Sequence, residues 1–162
     1  MKPLYLFVAF LLVSMMPDGT TAQETAEKKA VVPDEIKNVI RRRAEERYPD
    51  DFAMQKFVIG DQTDSYLVMR KISDKALPRD IQKKIIGKAV ERYPEDYSMQ
   101  VHVCEDQFGA FKKLAEYKAE DVPADVITRI LAKATERYPD DFSMRLFVVE
   151  SQVESYLELN QK

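Results

Sequence analysis

The stretch Glu46-Arg47-Tyr48-Pro49-Asp50-Asp51-Phe52 recurs as Glu91-Arg92-Tyr93-Pro94-Glu95-Asp96-Tyr97. It recurs again as Glu136-Arg137-Tyr138-Pro139-Asp140-Asp141-Phe142. The step is 45 residues both times, and it is held well beyond this stretch. Pro33, Pro78 and Pro123 keep the register, as do Ala44, Ala89 and Ala134. Met54, Met99 and Met144 follow it, then Val58, Val103 and Val148, then Gln62, Gln107 and Gln152. A fixed period of this length marks tandem structural units. The units run over 32–70, 77–115 and 122–160.

Each unit reads as two helices. Pro33 suits the first turn, where its missing N–H has no helical partner. Glu35, Asp80 and Asp125 lie two residues later, where a negative charge meets the positive end of the helix dipole. Ile36, Ile40, Ala44 and Tyr48 recur at spacing four, which is a helical stripe. The helix is expected to end at Tyr48, because a residue before proline is driven from the α region. Pro49 is then expected to open the second helix as Pro33 opens the first, with almost no loop between them. Phe52, Val58, Ile59, Tyr66 and Met69 form the apolar stripe of that second helix, with Phe52 as a core residue. The predicted fold is all-α: three tandem αα-hairpins in a short array or a compact bundle.

The chain of 162 residues begins with Lys2, an apolar run from Leu4 to Met16 broken by Ser14 alone, and the small residues Thr20, Thr21 and Ala22. That order is the pattern of a secretory signal peptide, with cleavage expected after Ala22. Residues 1–22 are read as this signal and 23–31 as a flexible lead. No later apolar run is long enough to span a bilayer. The expected location is extracytoplasmic, secreted or periplasmic.

Composition excludes several classes. There are 25 basic and 28 acidic residues, a net charge of -3. This lacks the basic excess of a nucleic-acid binder. One cysteine cannot form an internal disulfide, and one cysteine with one histidine cannot make a zinc finger. No nucleophile motif, paired catalytic carboxylate or phosphate loop is present, so the chain is read as non-enzymatic and free of cofactors. The Ala-x-Glu-Arg-Tyr-Pro-Asp-Asp stretch is similar to helix ends in tetratricopeptide repeats. The unit is longer than the roughly 34 residues of that family, and its Trp-x2-Leu-Gly-x2-Tyr signature is missing, so the family is not assigned.

Three sets of residues are candidates for more than packing. Arg47, Arg92 and Arg137 fall inside the first helix's apolar stripe at 100° per residue, which suggests a bridge to Asp51, Asp96 and Asp141. Gln62, Gln107 and Gln152 fall inside the second stripe and are expected to bond backbone or a tyrosine hydroxyl. Together these nine are read as a repeated polar junction with a structural role. Phe57, His102 and Phe147 lie off the stripe. They either meet the next unit or anchor a partner protein or peptide. Cys104 replaces Ile59 and Val149 and reads as a buried hydrophobe. The function that follows is a binding or scaffolding module for a protein or peptide. The alternative is a divalent-metal or small-ligand binder using the repeated Asp and Glu residues. No twelve-residue calcium loop is present.

Overall fold

A computed structural model describes residues 31–160. Among the described residues there are six helices and no strand: α1 Asp34–Arg47, α2 Phe52–Met69, α3 Arg79–Arg92, α4 Tyr97–Ala115, α5 Ala124–Arg137 and α6 Phe142–Asn160. No helix among them is long and apolar enough to cross a membrane. The signal segment 1–22 and the lead over 23–30 lie outside the described residues.

α1 packs on α2, α3 on α4, and α5 on α6. α4 also packs on both α2 and α6. The even-numbered helices therefore form a continuous row, and each odd-numbered helix touches its own hairpin partner alone. The core lies along this row. Leu77, Ile85, Ala89, Cys104, Phe108, Phe142 and Leu146 form the main cluster, and Val122, Ile127 and Val153 form a second one. Ala44 and Ala89 are fully buried, and Ala134 nearly so. A methyl side chain lets the hairpin helices approach closely there.

The first helices of the pairs start at their prolines. Pro33, Pro78 and Pro123 are the N-caps, and the acids expected near the dipole lie in the first turn. The C-caps are Tyr48, Tyr93 and Tyr138, as the following prolines require.

The turn between the paired helices differs from expectation. Pro49 does not open α2. Asp51 is its N-cap and accepts the Met54 N–H at 3.0 Å. Asp96 does the same for Met99 at 3.2 Å, and Asp141 for Met144 at 3.0 Å. A helix N-terminus leaves its first N–H groups unpaired, and an Asp cap is worth about 0.5–2 kcal/mol over alanine. The chain reaches that cap by turning through Asp50 at φ 61° and Glu95 at φ 60°, the left-handed region that Asp and Asn tolerate best outside glycine.

The turn is braced from the second helix. Gln55 Nε2 donates to the Tyr48 carbonyl at 2.7 Å, and Gln100 Nε2 to that of Tyr93 at 2.7 Å. Arg145 Nε takes this place in the third pair, donating to Tyr138 O at 2.5 Å. Gln100 is a buried polar side chain and is satisfied by this bond.

The three second helices share a pattern but not a degree of burial. α4 buries Gln100, Cys104, Phe108 and Ala110, and α6 buries Phe142, Leu146, Val149 and Val153. α2 has no buried residue. Phe52 is the clearest correction: expected in the core, it is 74% exposed, whereas Phe142 is 6% exposed. The physical reason is position. The face that carries Phe142 is covered by α4, and among the described residues α2 packs only on α1 and α4, neither of which covers Phe52. Lys56 and Thr63 stand on that face where α4 has Val101 and Phe108 and α6 has Leu146 and Val153.

Cys104 is fully buried, and burial, aided by the neighbouring Glu105 charge, pushes its thiol up to about 11. The thiolate is the reactive form, so this cysteine is inert in the folded chain. Labelling with a thiol reagent at pH 8 is expected to be slow in buffer and fast in denaturant. Fast labelling of the folded chain would contradict its burial.

Candidate functional site

The repeated polar residues come together at two joints between consecutive helix pairs. At the first, Gln62 of α2 reaches the start of α4. Its Nε2 donates to Asp96 Oδ1 and Ser98 Oγ, each at 2.9 Å, and its Oε1 accepts the Tyr97 N–H at 2.7 Å. At the second, Gln107 Nε2 donates to Asp141 Oδ1 at 2.8 Å and its Oε1 accepts the Phe142 N–H at 2.7 Å. One glutamine thus satisfies a cap carboxylate and an otherwise unpartnered helix-start N–H. An aromatic pair closes each joint edge to face: Tyr66 on Tyr97 and Phe111 on Phe142, both with ring centroids 5.1 Å apart.

A cation from the first helix completes the joint. Arg43 Nη1 donates to the Pro94 carbonyl at 2.8 Å and lies 3.8 Å from Glu95. At the second joint Lys84 and Lys88 both bind Asp140, Lys88 at 2.8 Å. These two hydrogen-bonded ammonium groups hold the Asp140 carboxyl at about 2, below its ordinary 3.8. Folding therefore favours the charged form. Its contribution is complete above about pH 4 and is lost as pH falls towards 2. Melting temperature is expected to drop less steeply across this window in Asp140→Asn than in the native chain. Parallel curves would remove Asp140 from the acid response.

The expected bridges from Arg47, Arg92 and Arg137 to the cap aspartates are not formed. All three arginines are exposed. Each guanidinium lies over the ring of the following tyrosine, Tyr48, Tyr93 or Tyr138, at 5.5, 5.4 and 5.4 Å from its centre. The reason is that α1, α3 and α5 do not pack on one another. The side of each stripe that holds the arginine faces an open groove, so the charge needs no buried partner. The aspartates are already occupied by cap N–H groups, and Asp96 and Asp141 by glutamines as well.

Those grooves are two of the concave features among the described residues. One, of about 690 Å³, lies between α3 and the α5–α6 turn, lined by Ile85, Lys88, Arg92, Gln107 and Asp140 among others. Its equivalent between α1 and the α3–α4 turn has a volume of about 280 Å³ and is lined by Ile40, Arg43, Arg47 and Gln62. No group of three or more His, Cys, Asp or Glu side chains placed to hold a metal occurs among the described residues.

Phe57, His102 and Phe147 are all exposed, the phenylalanines by 68% and 64%. The next unit does not cover them, because it docks on Gln62 and Tyr66, roughly opposite on the helix at 100° per residue. The three occupy equivalent positions on adjacent helices of the even-numbered row, on the side away from α1, α3 and α5. Sequence reasoning missed the joint cations Arg43, Lys84 and Lys88. It also missed the apolar residue before each proline, Val32, Leu77 and Val122, which is buried in all three places. The signal for that trio is present in the sequence: an aliphatic residue directly before each proline, in the same register. Compared with protein-family models, curated proteins and solved structures, the chain matches none.

Proposed function

We propose that the chain is an exported, non-enzymatic scaffold of three tandem 45-residue hairpin units that binds a protein or peptide. The observation that carries this reading is the exposed row Phe57, His102 and Phe147. Large aromatic side chains held in water at matching positions on packed helices have no role in this chain's own core. Aromatic anchors of this kind dominate the energy of protein interfaces. The row lies on a surface of three parallel-register helices, which suits an extended partner that touches each unit in turn. Export is supported by the order of charge, apolar run and small residues over 1–22.

The test is affinity capture from the native envelope and medium with the chain as bait. The control bait carries Phe57→Ala and Phe147→Ala. Both positions are exposed, so its melting temperature is expected to match the native one. A partner retained by the native chain and lost by the control supports the reading. A partner held equally by both places the contact elsewhere. Calcium, the probe for the divalent-metal alternative, is expected to leave the melting temperature unchanged, since a ligand that binds the native state raises it.

A further inference from the structure

The joint that links consecutive helix pairs is built twice, and among the described residues the first and last pairs each carry one unused half of it. At the C-terminal end, Gln152 is the counterpart of Gln62 and Gln107, but it is exposed and has no hydrogen-bond partner among the described residues. Tyr156 is the counterpart of Tyr66 and Phe111, whose rings stack on the next helix start. Lys133 is the counterpart of Arg43 and Lys88 and is exposed without an ion pair among the described residues. A groove of about 310 Å³ runs along this side between α5 and α6, lined by Ile130, Lys133, Val148 and Gln152 among others. It is the inter-unit groove with one wall missing. Leu159, in the register of Leu114, is 86% exposed beyond it.

At the N-terminal end stands the missing wall. Asp50, Asp51 and Phe52 are the counterparts of Asp140, Asp141 and Phe142, and all three are exposed. The left-handed turn at Asp50 and the cap from Asp51 to Met54 are already formed. The two ends are thus complementary in shape, charge and hydrogen bonding: Lys133 for Asp50, Gln152 for Asp51 and the Phe52 N–H, Tyr156 for the Phe52 ring.

We infer that the chain associates head to tail with further copies of itself, the outer face of α6 in one copy taking the Asp50–Phe52 end of the next. Such a contact joins two different surfaces, so copies add one after another, into an open chain or, where the rotation between copies closes, a ring. Lys56 and Thr63 make the N-terminal face more polar than the buried faces of α4 and α6, so the contact between copies is weaker than the joints within one and is reversible. Assembly would also repeat the Phe57–Phe147 face along the polymer and raise avidity for a repetitive partner. The inference does not depend on that face being a binding site.

The test is sedimentation velocity of the chain as its host exports it, over concentrations up to about 1 mM. Two variants with substitutions at exposed positions complete it, their helicity checked by circular dichroism. Phe52→Glu blocks the N-terminal end; Lys133→Glu with Gln152→Ala blocks the C-terminal end. The native chain is expected to grow progressively with concentration. Each variant alone is expected to stay monomeric, or to need at least about tenfold more protein for the same mean size. An equimolar mixture of the two is expected to stop at one-to-one dimers, because only one pair of complementary ends remains. A native chain that stays monomeric throughout would overturn the inference. So would self-association by either variant as well as the native chain, which would mean like faces pairing or a different surface.

Discussion

Phe142→Ala is expected to destabilise the chain by about 3–5 kcal/mol, while Phe52→Ala changes stability by no more than about 0.5 kcal/mol. The two positions are equivalent in the repeat and carry the same residue. Phe142 is buried among Phe108, Phe111 and Leu146, with the Phe111 ring edge-on at 5.1 Å and the Arg145 guanidinium 4.7 Å from its ring centre. Removing it leaves a cavity between α4 and α6, on the lining of the joint itself. Phe52 has no such surroundings among the described residues and is mostly in water already. Chemical denaturation of both variants measures the difference. The α4–α6 contact is the one weakened, and α5 packs only on α6, so the loss in Phe142→Ala should concentrate in α5 and α6. Equal effects at the two positions would mean that Phe52 is covered in solution.

Gln107→Ala is expected to cost about 1–3 kcal/mol, and Gln152→Ala close to nothing. Gln107 gives its amide to the Asp141 carboxylate and takes the Phe142 N–H. Truncation leaves both of those groups short of a partner at a half-buried helix start, which is the costly way to lose a hydrogen bond. Gln152 is exposed and makes neither bond. The measurement is the same denaturation series, on dilute protein. A large effect at Gln152 in dilute solution would show that it has a partner within its own chain.

The helices were legible because their start signals are strong: a proline followed two residues on by an acid, then apolar residues at spacing four. Their failure at Pro49 is instructive. Pro-Asp-Asp-Phe and Pro-Asp-Glu-Ile look alike, but Tyr48 precedes Pro49 at the end of a helix, and the chain must reverse there. The reversal takes Asp50 into the left-handed region and leaves Asp51, not Pro49, to cap α2. Arg47 departs from its expected place for a related reason. A helical wheel gives the angle of a residue but not whether a neighbour stands at that angle, and α1 has a neighbour on one side only. Gln62 is an anomaly in its stripe because its partners are Asp96, Tyr97 and Ser98, at the start of α4, which the pattern of one helix pair does not reach. Phe52 shows the same limit from the other side, since burial at that position is supplied by the preceding unit.

Each joint is made by a glutamine of one second helix capturing the start of the next, Gln62 that of α4 and Gln107 that of α6, so among the described residues the start of α2 is left open. Residue-resolved amide hydrogen exchange on dilute protein tests it directly at three equivalent positions. The Tyr97 and Phe142 N–H groups, each bonded to a glutamine Oε1 at 2.7 Å, are predicted to be protected, and the Phe52 N–H to exchange close to the rate of an unstructured peptide. Equal exchange at all three, whether fast or slow, would contradict it.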